Sequence, residues 1–317
     1  MEAFRSEAMQ LIAQCGGKIK YGHSEVGNFV VGNKNYEQNE IEFLPCAVEE
    51  AADQLIIAKW IIRQLGYHYG VNVTFAPKIT TGKAGSGLHI HTRLVKDGKN
   101  AFVENGALSD VAKRAIAGYL DFAASLTAFG NTNPTSYFRL VPHQEAPTTI
   151  CWGDRNRSVL VRVPLGWTGK TDMAQIINPL EEVNYSDYSY KQTVEFRAAD
   201  GSANVYLLMA GLTLAALHGL EMDNALDFAA KTYVDINIFE DNSRDLDLKT
   251  LPDSCSQSSK ALKKQKPEFL KYGIFTEDLL DNIIKNLAAF KDEELRVEAA
   301  KDEQKLIDLV LFNLHCG

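Results

Sequence analysis

The sequence predicts an α+β fold, with strands concentrated in the middle of the chain and helices in its C-terminal part. Residues 38–44 alternate, with Glu40 and Glu42 on one face and Ile41 and Phe43 on the other, as is typical of a half-buried strand. Helical patterns dominate after residue 200. Because strands and helices are segregated rather than alternating, an α+β fold is favoured over a doubly wound parallel sheet.

The elements predicted in the first half are a helix over Phe4–Gln14, a strand over 38–44, a helix over Ala47–Tyr69, a strand over Val71–Pro77 and a helix over 109–126. The Gly16-Gly17 pair ends the first helix, and Gly70 follows the second. Ser109 is a suitable N-cap for the third, because its hydroxyl can accept a backbone hydrogen bond.

The second half adds strands over 158–163 and 193–197, an apolar helix over Ala203–His218 and two helices after Thr276. The polar stretch Glu240–Gln265 is predicted to be a surface excursion. No Pro/Ser-rich linker divides the chain.

The composition fits a soluble globular protein, with 45% hydrophobic and 23% charged residues. A net charge of −8 argues against general nucleic-acid binding, which needs a positive field. The five cysteines lack zinc-knuckle spacing and fit a reducing compartment, so we expect a cytoplasmic protein. Charged residues replace the apolar run of a signal peptide, and the longest apolar run, Val205–Leu217, is too short to span a bilayer.

The segment from Ala84 to His91 leads from a glycine-rich turn into two histidines separated by one residue. In a strand, His89 and His91 would share one face. A turn that lets backbone approach a ligand, followed by two imidazoles on one face, indicates a metal or phosphate site. A tight hairpin with two solvent-facing histidines is the equally weighted alternative.

Arginines accumulate on several other short segments, together with Glu and His. Single arginines are usually solvated or structural, but Arg162, and Arg197 beside Glu195, are predicted to lie on strands. A guanidinium suits carboxylate and phosphate groups, and Glu with His can hold divalent cations. With no Walker lysine loop and no dinucleotide fingerprint, the pattern indicates a metal-assisted site for an anionic substrate such as a nucleotide.

A series of short motifs occurs in order along nearly the whole chain: His23-Ser24-Glu25-Val26-Gly27, Gln38-Asn39-Glu40-Ile41, Pro77-Lys78, Gly85-Ser86-Gly87-Leu88-His89-Ile90-His91, Lys96-Asp97-Gly98-Lys99-Asn100, Asn133-Pro134, Arg139-Leu140-Val141-Pro142, Glu145-Ala146-Pro147, Arg155-Asn156-Arg157-Ser158, Glu195-Phe196-Arg197 and Ala203-Asn204. Each is weak alone, but their joint order and spacing make chance agreement negligible. Together they resemble the catalytic domain of the glutamine synthetase family.

The resemblance implies a curved antiparallel sheet backed by helices, the glutamine synthetase and guanidino kinase type of catalytic domain. The strands at 38–43, 88–91, 158–163 and 194–197 would form it, with His89, Glu195 and Arg197 on the concave face and the long helices on the convex face. It also implies ATP-dependent ligation of ammonia to the γ-carboxylate of glutamate through γ-glutamyl phosphate, with Mg²⁺ or Mn²⁺. The barrier is charge, because a carboxylate must approach a triphosphate.

The resemblance also implies roles for individual residues. The metal ligands would be Glu25 and Glu40 for the cation nearer glutamate, and His89 and Glu195 for the cation between the ATP phosphates. The ATP-binding residues would be His91, Arg157 and Arg162, with Arg157 stabilising the transferring phosphoryl group. Glutamate would be held by Gly85, Arg139 and Arg197, and Glu145, on a flap, would accept a proton from ammonium.

Several features depart from the family pattern. The resemblance implies that residues 1–317 correspond to the catalytic domain, and we expect them to lack the family's small N-terminal β-rich domain and upstream Glu-x-Glu strand. Thr193 stands where an ATP-contacting arginine is expected, and Leu165–Gln192 is longer than usual. We therefore expect this chain alone to bind metal weakly, to show no detectable activity and not to form the homo-oligomeric ring expected of the full-length form.

Two alternatives to glutamate–ammonia ligation stay open. A γ-glutamyl ligase for a larger amine would share the same glutamate-binding residues. A non-catalytic member would keep the fold as a structural or regulatory module, although the joint presence of Glu25, Glu40, Glu195 and Arg197 argues against it.

Overall fold

The N-terminal part of the protein is built from two helices and a long hairpin. The computed structural model describes residues 1–164, 180, 188–239 and 247–316. The first elements are α1 (Glu2–Gln14), β1 (Ile19–Val31), β2 (Lys34–Phe43) and α2 (Val48–Tyr69). β1 and β2 pair antiparallel. The two helices pack together and against the hairpin through two small apolar clusters that include Phe4, Ile12, Ile61 and Leu65.

The middle of the chain alternates short strands with helices. Its elements are β3 (Ile90–Thr92), β4 (Val95–Lys96), β5 (Lys99–Asn100), β6 (Val103–Glu104), β7 (Ala107–Leu108), α3 (Asp110–Asp121), α4 (Ala123–Gly130), α5 (Ser136–Arg139), β8 (Trp152–Asp154), β9 (Val161–Val163), a 3₁₀ turn (Ser189–Lys191) and β10 (Val194–Phe196). Ser109 caps α3 as predicted, since its Oγ accepts from the Ala112 amide at 3.1 Å. The helix predicted over 109–126 divides at Phe122.

The C-terminal part is helical. Its elements are α6 (Val205–Glu221), α7 (Ala225–Lys231), α8 (Cys255–Leu270), α9 (Glu277–Ala288), α10 (Leu295–Lys301) and α11 (Glu303–Phe312). Taken singly, none of the helices in the described ranges is long and apolar enough to cross a membrane. Only α6 and α7 together meet that criterion, and the chain bends by 108° between them.

The central sheet has four strands in the order β3-β10-β9-β8. β10 is antiparallel to both of its neighbours. Glu195 lies opposite His91 on β3 and opposite Arg162 on β9, so these side chains share one face. The neighbouring residues Val194 and Phe196 point to the other face and join the main apolar core.

Helix α3 covers the apolar face of this sheet, and α6 packs on α3. Two glycines allow the helices to approach closely. A Cβ on Gly118 would lie 1.9 Å from the Ala215 carbonyl oxygen, and a Cβ on Gly219 would lie 2.1 Å from the Arg114 carbonyl oxygen. The main core therefore consists of the sheet, α3 and α6, with later helices added around them.

The prediction of one antiparallel sheet needs correction in two respects. β2 pairs only with β1 within the described residues and forms a separate hairpin. β8 and β9 are parallel, with Trp152 opposite Val161. The short connection between them turns at Arg155, whose φ of 55° lies in the left-handed region. After this turn, β9 runs in the same direction as β8. The sequence pattern over 158–163 does not reveal this turn.

Two other predicted elements are wrong. Residues 71–77 form no strand. This segment packs on α2, where a Cβ on Gly66 would lie 2.6 Å from a Val73 methyl carbon. The stretch predicted as a surface excursion contains helix α8, which buries Ser256, Ser258 and Ser259. Residues 240–246 of that stretch lie outside the described residues.

Candidate active site

A cavity of about 1840 Å³ lies between the hairpin and the four-stranded sheet. Consecutive residues of both segments line it, 38–48 from the hairpin side and 85–95 from the sheet side. Because neighbouring residues in a strand point to opposite faces, this lining shows that strand edges border the cavity. All the residues predicted from sequence line it: Glu25, Glu40, Gly85, His89, His91, Arg139, Glu145, Arg157, Arg162, Glu195 and Arg197.

The glycine-rich turn before β3 allows close approach between backbone and side chains. A Cβ on Gly85 would lie 2.3 Å from the Pro77 carbonyl oxygen. A Cβ on Gly87 would lie 2.4 Å from Arg139 Nη2 and 2.8 Å from His89 Nε2. The backbone carbonyl of Pro77 therefore requires glycine at position 85, whereas a side chain at position 87 would displace the Arg139 guanidinium and the His89 ring.

Gln38 connects the hairpin to this turn. Its Nε2 donates to the Gly85 carbonyl and to Ser86 Oγ, both at 3.1 Å, while its Oε1 accepts from the Gly27 amide at 3.0 Å. The side chain thus fixes β2 relative to the residues that lead into β3.

Glu195 is the centre of the charged network on the sheet. His89 Nδ1 lies 3.0 Å from Glu195 Oε1, and Arg162 Nη1 lies 3.2 Å from Oε2. Arg197 Nη1 lies 3.8 Å from Oε1. These contacts confirm the prediction that His89, Glu195 and Arg197 share one face.

Burial and charge act in opposite directions on this network. Burial alone would raise the pKa of Glu195, but the hydrogen bond from His89 and the charge of Arg197 lower it to about 2. Burial lowers the pKa of His89 to about 4, against the attraction of Glu195. At neutral pH a neutral imidazole therefore donates from Nδ1 to an ionised carboxylate.

A second group of donors lies on the hairpin. His23 Nδ1 is 3.8 Å from Glu25 Oε1, and His23 Nε2 is 3.8 Å from Glu40 Oε1. One ligand atom from each residue falls within 4.8 Å of the others. Burial, followed by the charge of Glu25, raises the pKa of Glu40, so a cation between them would relieve both effects.

The four predicted metal ligands therefore fall into two groups. Glu25 and Glu40 stand on the hairpin, whereas His89 and Glu195 belong to the sheet segment, and β2 and β3 do not pair. His23 was missed as a possible ligand. Strand periodicity could have identified it, because a residue two positions before Glu25 in a strand lies on the same face as Glu25.

The predicted glutamate-binding arginines are both buried in the cavity wall. Arg139 is buried and donates to the carbonyl oxygens of Ala198 and Arg197 at 2.7 and 3.1 Å. Burial lowers its pKa to about 10, so it stays charged at neutral pH. Arg197 Nη2 donates to the Glu145 carbonyl oxygen at 3.3 Å.

His91 and Arg157 are more exposed than these arginines. His91 Nδ1 lies 3.2 Å from Thr193 Oγ1. Arg157 is exposed in the turn between β8 and β9. The neighbouring Asn156 holds this turn, since its Nδ2 donates to the Ile236 carbonyl at 2.7 Å and its Oδ1 accepts from the Ser158 amide at 2.9 Å.

Glu145 is exposed in the loop after α5 and has a left-handed φ of 64°. Most of the long segment predicted between Leu165 and Gln192 lies outside the described residues. The cavity thus combines two acidic donor groups, the four predicted arginines and a loop carboxylate, which can bind a polyanion, a carboxylate and divalent cations together.

The chain is similar to known proteins over most of its length. Residues 1–305 match the family model described as the glutamine synthetase catalytic domain. The chain is 33% identical over 293 residues to a glutamine synthetase of Thermococcus kodakarensis, covering 92% of this chain and 57% of that protein. It is 32% identical over 295 residues to a glutamine synthetase of Neisseria gonorrhoeae, covering 92% and 55% respectively.

The fold has a solved counterpart. A Plasmodium falciparum glutamine synthetase determined by cryo-electron microscopy matches with a TM-score of 0.69 at 24% identity, over 94% of this chain and 59% of that one. The chain spans somewhat more than half the length of these relatives. The family model and the sequence relatives lead to one conclusion: the chain belongs to the glutamine synthetase family.

Proposed function

We propose that the native protein ligates ammonia to the γ-carboxylate of glutamate, at the expense of ATP and through γ-glutamyl phosphate. The observation that carries this proposal is the setting of Glu195. An ionised carboxylate is held among His89, Arg162 and Arg197, beside a second acidic donor group, in one cavity. Its volume exceeds the roughly 300–1,000 Å³ of ordinary ligand pockets, which suits two substrates together.

The donor groups fit divalent cations such as Mg²⁺ or Mn²⁺. His23, Glu25 and Glu40 offer one nitrogen and two carboxylates within 4.8 Å of one another, and water can complete such a shell. His89 and Glu195 form the second candidate set. When bound, the metal would supply positive charge against phosphate oxygens.

The arginines are suited to bind the anionic groups of the substrates, the phosphates of ATP and the carboxylates of glutamate. Arg157 is exposed in its turn and Arg162 lies in the cavity wall, so both suit phosphate groups. Arg197 and Arg139 suit the carboxylates of glutamate. Arg139 already donates to two carbonyl oxygens, but a guanidinium carries five N–H donors, so capacity for an anion is left.

Glu145 is suited to receive the proton that ammonium must lose before its nitrogen, as ammonia, can attack the acyl phosphate and displace phosphate. Its side chain is exposed at the cavity, and its backbone carbonyl is held by Arg197. A carboxylate beside the incoming amine both attracts the cation and accepts its proton.

The test measures ADP formation by the native protein with glutamate, Mg²⁺, ATP and a panel of amines. ADP release that requires both glutamate and ammonia, with hydroxylamine giving γ-glutamyl hydroxamate, is the expected result. Release only with a larger amine would replace the proposal by the alternative γ-glutamyl ligase. No release with any amine, from folded protein that also fails to bind ATP in calorimetry, would identify a non-catalytic member.

A further inference from the structure

Lys78 is a buried cation to which the proposed reaction gives no role. Its side chain is among the largest that are fully buried, with 1% exposure. Burial, followed by the charge of Arg139, lowers its pKa to about 8. No carboxylate of the described residues contributes to this balance. A buried ammonium is unfavourable unless its donors are used, so its hydrogen bonds indicate its purpose.

Those hydrogen bonds join two loops that are distant in sequence. Nζ donates to the carbonyl oxygen of Lys83, in the loop before the glycine-rich turn. It also donates to Oε1 of Gln144, the residue immediately before Glu145. An ammonium group has three donors, which allows it to bridge two neutral oxygens in this way.

The loop that carries Glu145 depends on contacts from outside. His143 and Glu145 both have left-handed φ angles, 63° and 64°, and neither is glycine. Such conformations are unfavourable and persist only when surrounding contacts impose them. On the cavity side, Arg197 donates to the Glu145 carbonyl. Lys78 supplies a further contact, to the side chain of Gln144.

We propose that Lys78 is a positioning residue, which holds Gln144 and thereby keeps the loop bearing Glu145 in place beside Arg197 in the cavity wall. The inference rests on the proposed function only through the role of Glu145. Lys78 itself does not line the cavity, so it acts through Gln144 rather than on a substrate.

The first test measures cleavage of the folded protein by a glutamyl endopeptidase after Glu145. Lys78→Met keeps the length of the buried side chain and removes the donor, and Gln144→Leu removes the acceptor. Each variant is expected to be cut there about tenfold faster than the wild type, and the double variant no faster than either. Lys83→Met is the matched control, because only the backbone carbonyl of Lys83 takes part.

Cleavage of Lys78→Met at the wild-type rate would overturn the proposal, as would equal acceleration in Lys83→Met. If Lys78→Met does not fold, Gln144→Leu tests the proposal alone, because this variant changes only the loop partner of the hydrogen bond. Cleavage of folded Gln144→Leu at the wild-type rate would then overturn the proposal. This measurement needs no substrate, so its result is independent of whether glutamate–ammonia ligation is the reaction.

The second test uses steady-state kinetics of the native protein. Lys78→Met and Gln144→Leu are expected to lower kcat and raise the KM for the amine at least fivefold, with the KM for ATP unchanged. A variant that only lost stability would contain less active protein, which lowers the apparent kcat but leaves the KM for the amine and the KM for ATP unchanged. Equal effects on all constants, together with unchanged cleavage, would assign Lys78 to stability alone.

Discussion

Replacing Glu195 by Gln should destabilise the protein in a way that depends on pH. Glutamine has nearly the same shape and can still accept a hydrogen bond from His89 or Arg162. It removes the charge, however, and leaves Arg197, which is 5% exposed, without its nearby carboxylate. Breaking a buried charge network from one side is unfavourable because the remaining charge loses its compensation.

The size of the effect follows from the pKa of Glu195, which is about 2 in the folded protein against an ordinary 4.5. At about 1.4 kcal/mol per pH unit, ionised Glu195 stabilises the fold by about 3 kcal/mol. Because the folded pKa lies below the ordinary value, this contribution is complete above pH 4.5 and is lost as the pH falls towards 2.

The assay is urea unfolding of wild type and Glu195→Gln at several pH values from 3 to 8. The difference in the free energy of unfolding should be about 3 kcal/mol near pH 7 and should shrink steadily below pH 4.5. Glu104→Gln makes the same chemical change at an exposed position and should have no such effect. A difference that is absent at pH 7, or that does not vary with pH, would refute the reasoning.

Three further outcomes are expected. Glu40→Gln removes one charge from the hairpin donor group and should weaken Mn²⁺ binding at least tenfold in calorimetry; unchanged affinity would exclude a cation there. Arg197→Ala should raise the KM for glutamate about tenfold or more but leave that for ATP nearly constant, since a charge-assisted hydrogen bond contributes roughly 1.5–3 kcal/mol. Gly118→Ala should lower the unfolding free energy by about 1–3 kcal/mol or more, because its Cβ would meet the Ala215 carbonyl; a wild-type melting curve would show that α3 and α6 can separate.

The parts of the site that follow from strand periodicity could be predicted from the sequence. The alternation at 194–197 places Glu195 and Arg197 on one face, and the pleat of a strand leaves no other arrangement. His89 joins them because β3 and β10 pair beside it. The N-cap at Ser109 was equally predictable, since it depends on a local hydrogen bond.

Features decided by distant contacts could not be predicted in this way. The serines of α8 look like an exposed loop, yet their hydroxyls are satisfied inside the fold. Ser258 Oγ lies 2.7 Å from Thr127 Oγ1, and Ser259 Oγ donates to the Ile284 carbonyl at 2.8 Å. Likewise the bridge from Lys78 to Gln144 joins residues 66 positions apart, and no local pattern marks it.

The open edges of β2 and β3 have a consequence for how the protein behaves in solution. Within the described part of the chain, each strand is paired on one side only, and both border the same cavity. An unpaired edge presents a row of N–H and C=O groups that can recruit extended chain from another molecule. Concentrated or warmed samples should therefore self-associate through these edges, and solubility will depend on how well they are covered.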